Sequence, residues 1–122
     1  SLHCPLYEKT RGMITRELLF SMKPTAYLIN TARGALVDEG ALADALREGA
    51  LAGAGLDVYC GEPNVNPALL SLPNVVLTPH VGVNTLDARN AMARAASRRI
   101  LDFLDGKAPE NLLNPQALSA DR

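Results

Sequence analysis

Arg33, Glu62 and His80 each lie a few residues beyond a short apolar run, next to a glycine or a proline. A guanidinium can hold a carboxylate through two parallel hydrogen bonds, a geometry that lysine cannot reproduce. An imidazole can pass a proton to a bound molecule near neutral pH, and a carboxylate on its other ring nitrogen would fix its tautomer. These residue types suit a site that anchors an organic acid and moves a proton on it. The sequence equally allows structural roles, in which Arg33 pairs with a helix end or with Asp38 and His80 is an ordinary structural histidine.

The elements that would position these side chains can be predicted from short apolar runs between turn residues. Strands are expected at residues 26–30, 51–58 and 75–77, with the end of an earlier strand at residues 1–3. Helices are expected between them, one capped by Thr15 and one capped by Asp38, together with a single helical turn near residues 67–70.

A longer helix is predicted over residues 86–105, with Thr85 as its N-cap and Gly106 at its end. Its apolar residues recur at helical spacing and are predicted to form a buried stripe. This stripe consists of Met92, Ala96, Ile100, Phe103 and Leu104.

Strands that alternate with helices and are apolar on both faces indicate parallel βαβ units covered by helices. The predicted fold class is therefore α/β, the C-terminal half of a doubly wound parallel (Rossmann-like) sheet, truncated at the N-terminus. Ligands of such sheets bind beyond the carboxyl ends of the strands, where Arg33, Glu62, His80 and Asp57 are expected. Asp57 could cap a loop there or could hydrogen-bond a bound carboxamide. No Gly-x-Gly-x-x-Gly turn follows a strand, so we expect the pyrophosphate-binding half of the fold to lie outside this chain.

The composition is that of an ordinary globular protein, with 48% hydrophobic residues, 20% charged residues and a formal net charge of −1 over 122 residues. Basic and acidic side chains are interspersed, and no apolar run reaches the roughly 18 residues that span a bilayer. We therefore expect neither a nucleic-acid partner nor a membrane partner, and a cytoplasmic location. Cys4 and Cys60 are expected to be free thiols rather than a disulfide, and the histidines and cysteines show no metal-ligand spacing.

Several segments, in this order along the chain, resemble the D-isomer-specific 2-hydroxyacid dehydrogenase family. They are His-Cys-Pro-Leu at 3–6 with Thr10, Leu-Ile-Asn-Thr-Ala-Arg-Gly at 28–34, Gly-Leu-Asp-Val at 55–58, Glu-Pro at 62–63 and Leu-Thr-Pro-His at 77–80. The stretch over residues 61–74 is most similar to the glyoxylate/hydroxypyruvate reductase branch. The resemblance assigns residues 1–105 to the C-terminal part of the dinucleotide-binding domain. It assigns residues 106–122 to a tail segment that returns to a substrate domain missing from this chain.

The resemblance also implies roles for individual residues, with NAD or NADP as the cofactor. Arg33 would bind the substrate carboxylate and keto oxygen, His80 would donate or accept the proton, and Glu62 would be the partner of His80. Cofactor contacts are implied for Cys4, Pro5, Thr10, Thr31, Ala32, Arg33, Asp57, His80 and Gly82.

The function expected from the sequence is hydride transfer between NAD(P)H and a small 2-oxo or 2-hydroxy acid such as glyoxylate or hydroxypyruvate. We expect the full-length parent to be a homodimer and this chain alone to be inactive. Two other functions are compatible with the same residues: a dinucleotide-sensing corepressor-type binding protein of the same fold, and an inactive isolated fragment.

Overall fold

The computed structural model describes residues 1–108 and 111–116, which group into two compact units, one over residues 1–82 and one that begins at Val83. The first unit contains α1 (Arg16–Ser21), β1 (Tyr27–Asn30), a 3-10 turn (Gly34–Leu36), α2 (Glu39–Arg47), β2 (Gly53–Leu56), α3 (Pro67–Leu70) and β3 (Val75–Leu77). The second contains α4 (Leu86–Leu104). Within the predicted tail segment 106–122, residues 109–110 and 117–122 lie outside the described part of the chain.

The strands form a parallel sheet in the order β1-β2-β3, in which Asn30 is level with Leu56 and Leu56 with Leu77. Leu2 adds a single parallel bridge to Asn30. Four segments of the chain therefore run in the same direction, and their carboxyl ends meet at one edge. The α/β fold class and the strand positions predicted from the sequence are confirmed, although β2 is shorter at both ends than expected.

The core of the first unit lies between one face of the sheet and its helices. Leu28 of β1 and Leu56 of β2 pack there with Leu19 of α1, Leu42 of α2 and Leu69 of α3, each no more than 4% exposed. Each crossover moves in the same direction along the sheet, and right-handed crossovers of that kind place their helices on the same face. The opposite face carries Tyr27 and Val76, which are 66% and 68% exposed. The expectation that helices cover both faces is therefore not met within this unit.

The helices begin where short polar side chains were expected to cap them. Thr15, Asp38 and Thr85 accept hydrogen bonds from the amides three residues further on, at the starts of α1, α2 and α4. Asn66 does the same two residues on for the single turn of α3, accepting from the Ala68 amide.

The predicted buried stripe of α4 is wrong. Every residue of α4 is described and none is buried, and Met92, Ile100, Phe103 and Leu104 are between 54% and 74% exposed. An apolar stripe at helical spacing indicates that a helix can be covered on that side, but it does not say which surface covers it. In the described residues, no helix has the length and apolar character that a membrane crossing requires.

Candidate active site

The carboxyl edge of the sheet brings together the three side chains that sequence analysis singled out. Arg33 lies just after β1, Glu62 in the loop after β2, and His80 just after β3. Since β1, β2 and β3 are neighbours in register, these loops are adjacent. The positive charge of Arg33 is a minor cause of the lowered pKa of Glu62.

The loop that carries Arg33 is held by Asn30, which is only 1% exposed. The side-chain nitrogen Nδ2 of Asn30 donates to the Arg33 carbonyl oxygen at 2.9 Å, and its side-chain oxygen Oδ1 accepts from the Ala32 backbone amide at 3.0 Å. The guanidinium of Arg33 donates to the Ala32 carbonyl at 2.6 Å and is otherwise directed into an exposed position. Sequence analysis missed Asn30 as a positioning residue. The available signal was a polar residue at the end of an apolar strand, since a buried side-chain amide must find partners.

Gly34 is required by space rather than by turn conformation. A Cβ built at Gly34 would overlap the carbonyl group of Tyr59 and the amide nitrogen of Cys60. The turn after Arg33 therefore lies directly against the backbone that leads to Glu62. A side chain at position 34 would push these two loops apart.

Glu62 and His80 form a hydrogen-bonded pair, with 2.7 Å between Glu62 Oε2 and His80 Nδ1. The second carboxylate oxygen of Glu62 accepts from the Tyr59 amide at 2.9 Å. The pKa of Glu62 is lowered most by the hydrogen bond with His80 and next by the hydrogen bond from the Tyr59 amide. Because an ionised carboxylate can only accept, His80 Nδ1 carries a hydrogen, and Nε2 is the ring nitrogen left to exchange a proton with a bound molecule.

Asp57 is the anchor of the loop that carries His80. It is 5% exposed and accepts from the Thr78 hydroxyl at 2.5 Å and from the amides of Val81 and Gly82 at 2.9 and 2.8 Å. Of the two roles considered for Asp57, these contacts show the loop cap, while the contact with a carboxamide stays a prediction. Gly82, also a predicted cofactor contact, enters this network through its backbone.

Replacing Asp57 with asparagine should destabilise the protein by about 2–3 kcal/mol, because an amide group would face backbone amides that now donate to a charged oxygen. The Thr78 hydroxyl above all, and then the Val81 amide, lowers the pKa of Asp57. The stabilisation is therefore fully present above the pKa of an unfolded aspartate, about 3.9, and is lost as the pH falls through the lowered folded-state value.

Urea denaturation of the wild type and of Asp57→Asn between pH 2 and pH 7 measures this effect. The difference in unfolding free energy should be constant near neutral pH and should shrink towards the acid end. Glu8→Gln, an acid-to-amide change at an exposed position, serves as the control. Equal stability of Asp57→Asn and Glu8→Gln at pH 7 would contradict the anchoring role.

Two clefts flank this edge of the sheet. One, of about 550 Å³, lies between the segment after Leu2 and the loop after β1. Its lining includes five predicted site residues: Cys4, Pro5, Thr31, Ala32 and Arg33. The other, of about 300 Å³, is bordered by Glu62 and His80 and by mainly apolar side chains, among them Tyr59, Val65 and Leu77.

Thr10, also predicted as a cofactor contact, is buried. Its hydroxyl donates to the Pro5 carbonyl at 2.9 Å and accepts from the Tyr7 amide at 3.0 Å. It thus shapes the loop that carries Cys4 and Pro5, and a direct contact with a cofactor stays a prediction.

The cysteines have no metal partners in the described residues, where no group of three or more His, Cys, Asp or Glu side chains could hold a metal ion. Cys4 and Cys60 are both free, as expected. Burial, with the neighbouring Glu39, raises the pKa of Cys60 to about 11, which keeps this thiol protonated at neutral pH.

A parallel sheet with helical crossovers and a polar site at its carboxyl edge defines a Rossmann-like α/β domain. Residues 1–82 match the model of the D-isomer specific 2-hydroxyacid dehydrogenase family, NAD binding domain. The chain belongs to this family, as the ordered sequence segments had indicated.

The chain is similar to several proteins of known name or structure. It is 49% identical over 120 residues to a glyoxylate reductase of Thermococcus litoralis, covering 98% of this chain and 36% of that protein. The NADPH-dependent glyoxylate/hydroxypyruvate reductase of Sinorhizobium meliloti, solved with NADP and malonate, aligns with a TM-score of 0.76 and 43% identity over 80% of this chain and 31% of that chain. A D-isomer specific 2-hydroxyacid dehydrogenase of Lactobacillus delbrueckii, in its NAD-complexed form, aligns with a TM-score of 0.82 and 38% identity, over 92% of this chain and 38% of that chain. The chain spans about a third of the length of the curated relatives it matches.

Proposed function

We propose that this protein is an oxidoreductase that transfers a hydride between NAD(P)H and a small 2-oxo or 2-hydroxy acid such as glyoxylate or hydroxypyruvate. The observation that carries the proposal is the Glu62–His80 pair, joined at 2.7 Å on the same sheet edge as Arg33. Membership of the dehydrogenase family and the similarity to glyoxylate reductases support it.

A dinucleotide fits the residues at this edge. The 550 Å³ cleft is open, lies beyond the carboxyl ends of parallel strands, and is bordered by small or short side chains such as Cys4, Pro5 and Ala32. We assign to it NAD or NADP, with the adenosine and ribose side along Cys4 and Pro5 and with Thr31, Arg33, Asp57, His80 and Gly82 nearest the reacting end. When bound, the nicotinamide supplies or receives the hydride.

His80 handles the proton of the reaction. Reduction of a 2-oxo acid requires a hydride at carbon and a proton at oxygen, and His80 Nε2 donates that proton. In the reverse direction Nε2 accepts it from the hydroxyl group. Glu62, ionised and bonded to Nδ1, fixes the tautomer and the orientation of the ring.

Arg33 anchors the acid. Its exposed guanidinium can bind the substrate carboxylate through two parallel hydrogen bonds and so place the keto group towards His80. Asn30 and Gly34 fix the backbone on either side of Arg33, so that the anchor has a defined position before substrate binds.

The direct test of the function is oxidation of NADH and of NADPH by the full-length protein with glyoxylate or hydroxypyruvate, followed by the absorbance of the reduced nicotinamide. We expect turnover with at least one of these acids. Absence of turnover with both acids and both cofactors, in a folded protein that binds dinucleotide, would refute the proposal.

Changing Arg33 to lysine should lower kcat/KM for the 2-oxo acid about 10²-fold, mainly through a higher KM, because lysine keeps the charge but loses the two-pronged geometry. Steady-state kinetics at saturating dinucleotide measure this. The matched control is Arg47→Lys in α2, where Arg47 forms an exposed ion pair with Asp44 at 2.8 Å. Equal kcat/KM values for the two variants would remove Arg33 from the carboxylate site.

We also propose that the protein works in the cytoplasm as a homodimer, with no nucleic-acid or membrane partner. Light scattering coupled to size-exclusion chromatography tests the assembly, and a mass equal to one subunit at micromolar concentration would contradict it.

A further inference from the structure

Tyr59 contacts Glu62 and also the turn that carries His80. It is 7% exposed, and its amide donates to Glu62 Oε1 at 2.9 Å. Its hydroxyl lies 2.7 Å from the Thr78 carbonyl oxygen and 3.1 Å from the Leu56 carbonyl oxygen. One side chain therefore ties the end of β2 to the residue that begins the His80 turn.

The carbonyl that the Tyr59 hydroxyl holds is part of a tight turn. The His80 amide donates to the same Thr78 oxygen at 3.1 Å, which closes a three-residue turn through Pro79. His80 itself has a φ of 53°, in the left-handed region that side chains other than glycine rarely adopt. Such a conformation persists where the surroundings fix it.

The His80 turn is fixed at both ends. Asp57 binds the amides of Val81 and Gly82 on the far side of His80, and the Tyr59 hydroxyl binds Thr78 on the near side. Burial raises the pKa of the Tyr59 phenol, so the hydroxyl keeps its proton and stays a donor over the whole neutral range.

We propose that Tyr59 is a positioning residue for proton transfer: its hydroxyl holds the turn at residues 78–80 so that His80 Nδ1 stays on Glu62 and Nε2 is presented to the bound acid. The inference rests on the proposed function and adds to it a residue that touches neither substrate nor cofactor.

The test compares Tyr59→Phe with Tyr27→Phe. Tyr59→Phe removes one buried hydroxyl and leaves the ring and the hydrogen bond from the backbone amide of residue 59 to Glu62. Tyr27→Phe removes the hydroxyl of a tyrosine that is 66% exposed. For Tyr59→Phe we expect kcat to fall about 10-fold, part of the 10²–10⁴-fold that a positioned acid contributes. The KM for the 2-oxo acid and the Kd for dinucleotide should stay within about twofold, as expected when an interaction specific to the transition state is weakened.

A second measurement does not depend on turnover. Two-bond ¹H–¹⁵N correlation spectra report which imidazole nitrogen carries the hydrogen, and wild type should show His80 predominantly with hydrogen on Nδ1. In Tyr59→Phe this tautomer should lose its predominance, while Tyr27→Phe keeps it. A merely structural role would lower the thermal midpoint without moving the tautomer at a temperature well below that midpoint.

The outcomes separate the two proposals. Loss of the Nδ1 tautomer in Tyr59→Phe, together with no turnover by the full-length wild-type protein, supports the positioning role and overturns the proposed function. Normal turnover in wild type with unchanged kcat and tautomer in Tyr59→Phe overturns the positioning role alone.

If Tyr59→Phe does not fold, 4-aminophenylalanine at position 59, a weaker donor, is compared with wild type. An intermediate kcat then supports the inference, and a wild-type kcat overturns it.

Discussion

Replacing His80 with asparagine lowers kcat for 2-oxo acid reduction by about 10²–10⁴-fold, the contribution of a positioned proton donor. The reason lies in the pairing with Glu62, which leaves Nε2 as the only imidazole nitrogen available to a bound molecule. Asparagine offers no group that titrates, so proton transfer would fall to water. Substrate anchoring through Arg33 is untouched, so KM should change much less than kcat.

Asparagine is the suitable replacement because of the backbone at this position. His80 has a φ of 53°, and asparagine tolerates the left-handed region better than other non-glycine residues. A change to leucine or valine would combine loss of chemistry with backbone strain. The loss of activity in His80→Asn therefore reports on the imidazole.

The measurement is steady-state reduction of glyoxylate and hydroxypyruvate, with dinucleotide binding followed by fluorescence titration. Binding should remain within about threefold of wild type, since proton donation contributes to the reaction and not to the ground state. Rates equal to those of the wild type with both acids would remove His80 from the reaction.

Replacing Gly34 with alanine destabilises the protein by about 3 kcal/mol or more, at the upper end of overpacking effects. The added Cβ would overlap the Tyr59 carbonyl group and the Cys60 amide nitrogen. These are backbone atoms, so no side-chain rotation can relieve the contact. The expected drop in the thermal midpoint exceeds 10 °C for a domain of this size.

Gly40→Ala is the matched control for this substitution. A Cβ at Gly40, in the first turn of α2, would lie 3.4 Å from Asp38 Oδ1, and alanine has the higher helix propensity. We expect Gly40→Ala to be neutral or to stabilise by up to about 1 kcal/mol. Urea or thermal denaturation measures the stabilities of Gly34→Ala and Gly40→Ala. Equal stability of the two variants would show that the loops after β1 and β2 separate at little cost.

Local patterns were sufficient to predict the positions of the strands and the edge at which Arg33, Glu62 and His80 meet. Apolar runs bounded by turn residues fixed β1 and β3, and short polar side chains fixed the starts of α1, α2 and α4. Once the strands are parallel and neighbouring, residues after their ends must lie close together. The hydrogen bond between Glu62 and His80 follows from that placement.

Contacts between distant segments could not be predicted in this way. Gly34 suggested a turn in the sequence, whereas its role depends on the backbone of Tyr59, which lies 25 residues further on. The buried amide of Asn30 and the hydroxyl of Tyr59 carry no periodic signal, because each binds carbonyl groups that any residue could supply. The apolar spacing of α4 correctly predicted a helix, but its apolar stripe was wrongly assigned as buried. Periodicity shows which side of a helix is apolar and does not show whether another surface covers that side.

The parallel order of the sheet also determines when the site can form during folding. α2 requires only neighbours in sequence, but Glu62 can reach His80 only after β1, β2 and β3 have paired in register across two crossovers. Pairing of that kind closes long loops before it gains contacts, and it is slow compared with helix formation. If the site moves a proton as proposed, recovery of activity on refolding should therefore come late, after helical structure has formed, and should follow the assembly of the sheet.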